Sequence, residues 1–468
     1  MPRWIAYAGI ALLVTLTSLY FHPLAALWVA VLAALTRLRP TYGLLLLFLT
    51  IPIDAVQPTY EGIIVSLSEM EFGACLLAWL SGQELAKLRP QPLLWGVPFL
   101  LAIAVSGVTQ LDWHQVLPHL LRSSEIFLML FLTLEVFRGQ RDKQRVRVGL
   151  ALAGFLFATT GLLQLTPMVG ARLVSGTRVF SFFNNPNQFA AYLNLLLPFY
   201  FFFILTSAGR KIRLLWIYLF TLTLIAQLST LSRTAPLALI FAMLAMSVLH
   251  YRTRLRQPYL NHSRLIGQWL RRSGPLLAAH LVGILLLGVF VLPMTSIGDQ
   301  IHRSLQNVKL RSEKGLVGTL ADSRLPYWEV GFQIWRDHPW VGIGPGRYRD
   351  VTEEHVEIIN RYRDQVIYFP ALEINYRIHS HNLFLQLAAL YGILGLAGFL
   401  YFLVRLSGRA LLRVRASGDY AAAGILTAFL IHNLADLSFP SLAMEIGFVV
   451  GLALTPESSP AYDRGSDS

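Results

Sequence analysis

The chain has 468 residues, of which 55% are hydrophobic and only 14% are charged. A typical soluble domain is about 25% charged, so the composition excludes a soluble protein, a disordered chain, a collagen-like repeat and a coiled coil. The net charge of +13 comes from short basic clusters between apolar runs, which is typical of a membrane protein and disfavours a nucleic-acid-binding role. The single cysteine, Cys75, excludes an intramolecular disulfide.

Fourteen apolar runs approach the length of about 20 residues that a membrane-spanning helix needs. They cover residues 4–21, 23–37, 42–57, 62–82, 92–110, 120–137, 148–166, 187–206, 214–231, 234–250, 275–293, 381–404, 419–437 and 440–455. Several are short, so 12 spans remain an alternative if one pair is re-entrant or interfacial. The sequence therefore predicts an all-α, polytopic helical membrane protein with 12–14 transmembrane helices.

Basic clusters predict the orientation of these helices. Neighbouring clusters are separated by two candidate helices, so one orientation places all six in the cytoplasm, as the positive-inside rule expects. The clusters are Arg37–Arg39, Lys87–Arg89, Arg138–Arg147, Arg210–Arg213, Arg252–Arg272 and Arg405–Arg415. Both termini are then expected to be cytoplasmic.

The same orientation divides the chain into four parts. A transmembrane bundle covers 1–293, an extracytoplasmic loop covers 294–380, further transmembrane helices cover 381–455, and 456–468 form a polar, disordered cytoplasmic tail. The loop is too long for a simple connection, so we expect a mostly helical subdomain. Its pattern predicts a helix over Arg324–Arg336 that ends at a cluster of Pro and Gly residues.

Two arginines at the outer face are candidate anion-binding residues. Arg233 lies between two apolar runs with almost no loop around it, and its guanidinium matches a phosphate. The alternative is an interfacial arginine whose stem snorkels. Arg178 precedes Asn185–Asn187, whose amides and proline are typical of helix capping. Capping does not explain Arg178, which could be the second half of a phosphate clamp.

Histidines at the start of a later helix are candidates for proton transfer. Ser380 is a plausible N-cap, which would place His381 in the first helical turn, where the positive helix end lowers its pKa. A neutral imidazole can accept a proton from a hydroxyl. The alternative is that His379 and His381 are solvated loop residues. A metal site needs further ligands that are not nearby in the sequence.

A third outer-face group is His432 with Asp436, at the end of a late helix. Asp436 could orient a histidine or hold a sugar hydroxyl, or it could be an interfacial cap. The glycine-rich run Gly342–Gly346 is not preceded by a strand or followed by a GK[ST] motif, so it predicts a turn rather than a nucleotide loop.

Taken together, these motifs resemble the O-antigen ligase / O-antigen polymerase superfamily, most strongly over 170–400. The superfamily comprises bacterial inner-membrane glycosyltransferases with a GT-C type of architecture. The resemblance rests, in chain order, on Arg178 with Asn185–Asn187, Ser232–Arg233, Trp335–Gly346, His381–Asn382 and Gly392–Gly395.

The resemblance implies transfer of a glycan from a polyprenyl (undecaprenyl) diphosphate carrier to a hydroxyl at the periplasmic face, with no cofactor and no metal. An O-antigen ligase acting in lipopolysaccharide assembly, with lipid A–core as acceptor, is the favoured subtype. A polysaccharide polymerase and a protein O-oligosaccharyltransferase are the alternatives. Direct attack by the acceptor would invert the anomeric centre.

The resemblance also implies roles for individual residues of this chain. The resemblance implies that Arg178 and Arg233 stabilise the diphosphate and that His381 is the general base. It matches Arg324 to an arginine at the start of the loop helix. The remaining candidates for substrate binding are Asn187, His379 and Asp436.

Outside this class, the main rival is a transporter or flippase for a glycolipid or an anion. The absence of an internal repeat and the scarcity of mid-helix charges count against it. Such a protein would need carboxylates such as Glu69, Glu71, Glu125 and Glu135 within the membrane. A purely structural scaffold would leave the outer arginines and histidines unexplained.

Overall fold

The computed structural model describes residues 3–54, 66–109, 113–138, 143–165, 178–183, 185–207, 209–255, 324–348, 350–351, 355, 357–358 and 379–455. These residues form fourteen α-helices and no β-sheet. The predicted all-α class is therefore confirmed. The predicted span 275–293, most of the predicted periplasmic loop and the predicted tail 456–468 lie outside the described residues.

The helices follow the apolar runs closely. In chain order they are α1 (Arg3–Tyr20), α2 (Pro23–Leu38), α3 (Pro40–Asp54), α4 (Leu67–Leu80), α5 (Gln91–Val108), α6 (Trp113–Val136), α7 (Lys143–Leu163), α8 (Pro186–Thr206), α9 (Arg210–Ser229), α10 (Thr234–Leu255), α11 (Leu325–Asp337), α12 (Leu383–Ser417), α13 (Ala421–His432) and α14 (Ala443–Leu454). Among them α5–α10 and α12 are long and apolar enough to cross a membrane.

Two predicted spans are shorter than expected. The runs 419–437 and 440–455 become α13 and α14, with 12 residues each, well under the length of about 20 residues that crosses a bilayer. The segment between them folds on its own polar groups: the Asn433 side-chain oxygen accepts hydrogen bonds from the Ser438 backbone N–H (2.9 Å) and hydroxyl (3.0 Å). These bonds compete with helix formation.

The bundle is held by apolar and aromatic packing. α6 packs between α5 and α14, and α12 lies along α5. Phe402 of α12 packs edge-to-face on Phe127 of α6 (ring centroids 4.7 Å apart), and Phe399 of α12 packs edge-to-face on Phe99 of α5 (5.2 Å). Such aromatic pairs contribute stability beyond the apolar area that they bury. Large apolar side chains such as Leu244 remain exposed on the outside, as expected for a surface that faces lipid.

A break in α12 receives the turn that follows α11. Gly392 has φ 66° and ψ −166° inside α12, a backbone conformation that favours glycine. The backbone groups freed there bind the turn instead: the Ile393 N–H donates to the Pro339 carbonyl (2.8 Å), and the Gly344 N–H donates to the Leu390 carbonyl (2.8 Å). The predicted turn at Gly342–Gly346 is confirmed, and these hydrogen bonds attach it to the broken helix.

The loop helix α11 confirms the helix predicted over Arg324–Arg336. It is amphipathic, with Val330 and Ile334 buried, and it packs against the start of α12. Gly331 allows the close approach, because a Cβ at this position would lie 3.0 Å from Leu385 and 3.1 Å from Ser380. Arg324 immediately precedes α11, so the packing brings it to the same end of α12 as the two histidines.

Candidate active site

The seven predicted site residues meet at one end of the bundle, where α8, α10 and α12 begin. They come from five separate parts of the chain, and the contacts described below connect them in one cluster: Arg178, Asn187, Arg233, Arg324, His379, His381 and Asp436. Helix N-termini carry partial positive charge, so three such ends and three arginines make this region favourable for an anion.

Arg178 is held in place by two hydrogen bonds. Its Nε donates to the Thr230 carbonyl (2.8 Å), and one terminal nitrogen donates to Oδ1 of Asn187 (2.8 Å). The backbone N–H of Val179 also donates to the Ser229 carbonyl (3.3 Å). These bonds join the segment 178–183 to the turn between α9 and α10.

The charge environment of Arg178 is crowded. Burial lowers the pKa of its guanidinium, Asp436 raises it, and Arg324 and Arg233 lower it further, so the pKa falls below its ordinary value. Arginine remains charged in proteins. The three guanidiniums therefore repel one another, and a bound anion would relieve that repulsion.

Gln164, at the end of α7, fixes the segment that carries Arg178. Its side-chain oxygen accepts from the N–H groups of Phe180 (3.0 Å) and Ser181 (2.9 Å), and its nitrogen donates to the Ser181 carbonyl (2.8 Å). Ser181 has φ 52°, a left-handed conformation that is unusual for a residue other than glycine. Sequence reasoning missed Gln164.

The turn that carries Arg233 is as tight as predicted. α9 ends at Ser229 and α10 begins at Thr234. Leu231 has φ 53°, and the Thr230 hydroxyl accepts from the Ser232 N–H (3.2 Å). Arg233 itself is exposed, within electrostatic reach of Arg178.

The helix that follows the histidines begins two residues later than expected. Asn382, not Ser380, is the N-cap of α12, and its Oδ1 accepts from the Leu385 N–H (3.1 Å). The Ser380 hydroxyl donates to the Asn382 carbonyl instead (2.8 Å). Asn185 caps α8 with Pro186 in the first position, which confirms the capping interpretation of that motif.

His381 therefore lies just before α12, with φ 52°. Its backbone N–H donates to Nδ1 of His379 (3.1 Å), and the two imidazole centroids are 4.1 Å apart. Tyr327 of α11 packs edge-to-face on the His381 ring (4.8 Å). The imidazole is thus enclosed between a neighbouring histidine and the loop helix.

Asp436 lies between His381 and Arg324. Its Oδ1 is 3.6 Å from Nδ1 of His381, and its Oδ2 is 3.8 Å from a terminal nitrogen of Arg324. Both distances are ion-pair separations rather than hydrogen bonds. Asp436 is only 4% exposed, so low dielectric strengthens these interactions.

The electrostatics favour an ionised aspartate and neutral histidines. Burial raises the pKa of Asp436, but His381, His432 and Arg324 together lower it well below its ordinary range. Burial lowers the pKa of His381, Asp436 raises it and Arg324 lowers it, with a net decrease. Burial is also the main reason why the pKa of His379 falls to about 4.

These contacts assign tautomers to the two imidazoles. Nδ1 of His379 accepts a hydrogen bond, so its proton is on Nε2. Nδ1 of His381 faces the Asp436 carboxylate at 3.6 Å, which favours the tautomer with the proton on Nδ1 and the lone pair on Nε2. In that tautomer Nε2 is the imidazole nitrogen of His381 that can accept a proton.

A buried polar network connects the helices next to the site. The Gln227 amide donates to Oδ1 of Asn194 (2.6 Å), and the Asn194 amide donates to the Ala235 carbonyl (3.2 Å) and lies 3.3 Å from Nδ1 of His432. These bonds join α8, α9, α10 and α13. His432 was noticed in the sequence, but its two amide partners were not.

Residues 217–400 match the family model described as O-antigen ligase. The match covers 184 of the 468 residues, which is less than half of the chain, and it supports the resemblance to the O-antigen ligase superfamily. The resemblance stated from the motifs is therefore confirmed. No curated protein matches the chain.

The O-antigen ligase match includes some of the candidate residues and excludes others. Arg233, Arg324, His379 and His381 fall within it, whereas Arg178, Asn187 and Asp436 fall outside. The fold brings the two sets together. The match and the long apolar helices support a multi-pass membrane protein and, in general terms, an enzyme. Within the described part of the chain, no three His, Cys, Asp or Glu side chains are grouped to hold a metal ion.

Proposed function

We propose that this O-antigen ligase-type enzyme is a metal-independent, inverting glycosyltransferase. It moves a glycan from undecaprenyl diphosphate, or a similar polyprenyl diphosphate, to an acceptor hydroxyl at the periplasmic face of the bacterial inner membrane. One observation carries the proposal: arginines from three separate segments converge beside half-buried His381 and its contact with buried Asp436.

The arginines stabilise the diphosphate leaving group. Breaking the glycosidic bond transfers an electron pair to the diphosphate oxygen, and the developing charge needs fixed positive groups. Arg178 is fixed by Thr230 and Asn187, and Arg233 adds an exposed guanidinium at the mouth of the same region. Their charges fulfil the role that a divalent cation has in many other glycosyl and phosphoryl transfers.

His381 activates the acceptor hydroxyl, which is the nucleophile. The acceptor oxygen attacks the anomeric carbon, the bond from that carbon to the diphosphate oxygen breaks, and Nε2 of His381 takes the hydroxyl proton. Asp436 then stabilises the imidazolium through its contact with Nδ1. Single displacement at the anomeric carbon inverts its configuration. His379 positions His381 by accepting its backbone N–H.

Lipid A–core, as in lipopolysaccharide assembly, is the favoured acceptor. A growing polysaccharide or a protein Ser/Thr would use the same chemistry. Two of the carboxylates that a flippase would require have structural partners instead. Glu69 caps α4 and pairs with Arg122 (3.1 Å), and Glu71 accepts a hydrogen bond from Thr50 (2.9 Å).

The test is transfer from a polyprenyl diphosphate-linked glycan to a panel of acceptors, in detergent with EDTA. Wild type is compared with Arg233→Ala and with Arg210→Ala, a matched loss of one exposed arginine at the other end of the bundle. We expect transfer to survive EDTA, to be lost in Arg233→Ala and to persist in Arg210→Ala. A retained anomeric configuration, or no transfer by folded protein that still binds the donor, would reject the proposal.

A further inference from the structure

Four arginines converge at the opposite end of the bundle, roughly 36–42 Å along α12 from His381 at 1.5 Å per residue. Arg405 and Arg409 lie one turn apart on α12, Arg138 follows α6, and Arg89 precedes α5. Arg138 is close enough to Arg89 and Arg409 to feel their charges, and Arg409 to Arg89 and Arg405. We call these four residues the arginine quartet.

Trp95 of α5 holds two members of the quartet. The guanidinium carbons of Arg405 and Arg409 lie 5.8 Å and 5.1 Å from the centroid of its ring, which is the distance of a cation–π contact. Trp95 itself is buried, at 5% exposure. Stacking fixes the face of a guanidinium and leaves its N–H edge free to bind an oxyanion.

The quartet has little compensating charge. Among the residues that the structure describes, Glu135 is the only carboxylate paired with any of the four, and its partner is Arg138. Four positive charges therefore face one negative charge. Avoidance of the membrane interior explains why one arginine lies at a helix end, but it does not explain why four approach one another despite their repulsion.

The surroundings of the quartet indicate which class of anion it would bind. Leu94, beside Trp95, is 59% exposed, and Val404, beside Arg405, is 68% exposed. Charged and aromatic groups next to an open apolar surface are typical of the membrane–water boundary. Basic pockets between helices at the cytoplasmic boundary bind lipid phosphates. A soluble phosphate would use the arginines but not the apolar surface.

We propose that the arginine quartet binds the phosphate of an anionic phospholipid headgroup, with the acyl chains along the exposed apolar surface of α5 and α12. This site is separate from the candidate active site, and the proposal does not depend on the reaction.

The experiment uses the full chain in neutral detergent and follows thermal unfolding as phosphatidylglycerol is added. The test variant is Arg405→Gln/Arg409→Gln, and the control is Arg210→Gln/Lys211→Gln, which removes two exposed basic residues at the same end. At about 1 kcal/mol per basic residue, we expect the test variant to need at least roughly tenfold more lipid for the same shift. The control should follow the wild type.

Further arms separate the possible ligands. Phosphatidylcholine and inorganic phosphate at equal concentration should produce no comparable shift. An equal shift with either, or an equal loss in the control variant, would overturn the proposal. If the glutamine variant does not fold, Arg405→Lys/Arg409→Lys keeps the charges and removes the planar stacking. It should bind several-fold more weakly, and unchanged binding would again overturn the proposal.

Discussion

The two arginine clusters at opposite ends of the bundle are held in different ways. At the candidate active site, Arg178 donates to a backbone carbonyl and to an amide oxygen. In the quartet, Arg405 and Arg409 rest on the face of an indole. Directed hydrogen bonds fix both the position and the orientation of a guanidinium, whereas stacking leaves it free to slide. The first arrangement suits charge that develops at a defined point, and the second suits a variable lipid.

Backbone conformation shows the same difference. In the described part of the chain, the non-glycine residues with left-handed φ are Ser181, Leu231 and His381, and all three lie in the segments of the candidate site. Such residues cost about 1–3 kcal/mol each and persist where their surroundings hold them. The structure thus concentrates strain at one end of the bundle, where geometry matters most for the proposed reaction.

The largest expected effect separates the two histidines of the site. His381→Ala should lower the initial rate of transfer by about 10²–10⁴-fold, as expected for loss of a general base. His379→Ala removes the acceptor for the His381 N–H and the neighbouring ring but not the proposed base, so it should keep measurable transfer. The same assay on both variants checks the assignment, and the reverse order of activities would contradict it.

The second prediction compares the two clusters directly. Arg178→Lys cannot keep both hydrogen bonds of the guanidinium, and it should lower kcat by about 10²–10³-fold, as does loss of a fixed donor at a developing anion. Arg409→Lys in the quartet should leave kcat unchanged. Equal losses in the two variants would show that transfer depends on overall positive charge rather than on a fixed site.

The third prediction concerns pH. Only neutral His381 can accept a proton, and its pKa is below the ordinary value, so transfer should hold at neutral pH and fall as the pH drops through that lowered pKa. Asp436 raises the pKa of His381. Asp436→Asn should therefore move the acidic limb of the rate profile to lower pH and lower the maximal rate by roughly tenfold or more. An acidic limb that stays in place would argue against the pair.

The smallest expected effect is on stability. At Gly392 a Cβ would lie 2.2 Å from the Trp340 carbonyl group, at φ +66°, so Gly392→Ala should cost about 1–3 kcal/mol or more. At Gly408 a Cβ meets nothing within 4 Å, and alanine there should be neutral or stabilising by up to about 1 kcal/mol. Thermal unfolding in detergent compares the two, and equal Tm changes would contradict the close approach.

The sequence predicted the helices well because run length and hydropathy are local properties. The run 92–110 became Gln91–Val108, and the run 187–206 became Pro186–Thr206. The errors arose where polar residues interrupt the chain. Ser380 and Asn382 are both good N-caps, and no local rule chooses between them. A distant contact, the Leu383 N–H to the Asn433 carbonyl (2.9 Å), accompanies the later start.

The candidate residues were also found locally, as charges next to apolar runs, but their partners were not. Gln164 is one amide at the end of a helix, and nothing in its neighbourhood indicates that it binds Phe180 and Ser181. The pairing of Asp436 with His381 joins residues more than fifty positions apart. Such contacts depend on how helices pack, which a single sequence does not specify.

The attachment of the turn after α11 to the break in α12 limits how this enzyme could be recombined with relatives. Backbone bonds join 339–344 to 389–394, and α11 also packs beside His381. A chimaera that exchanges the loop to change the acceptor must therefore take both segments, 339–344 and 389–394, from the same parent. A cut between them would place a foreign surface against the residue proposed to move the proton.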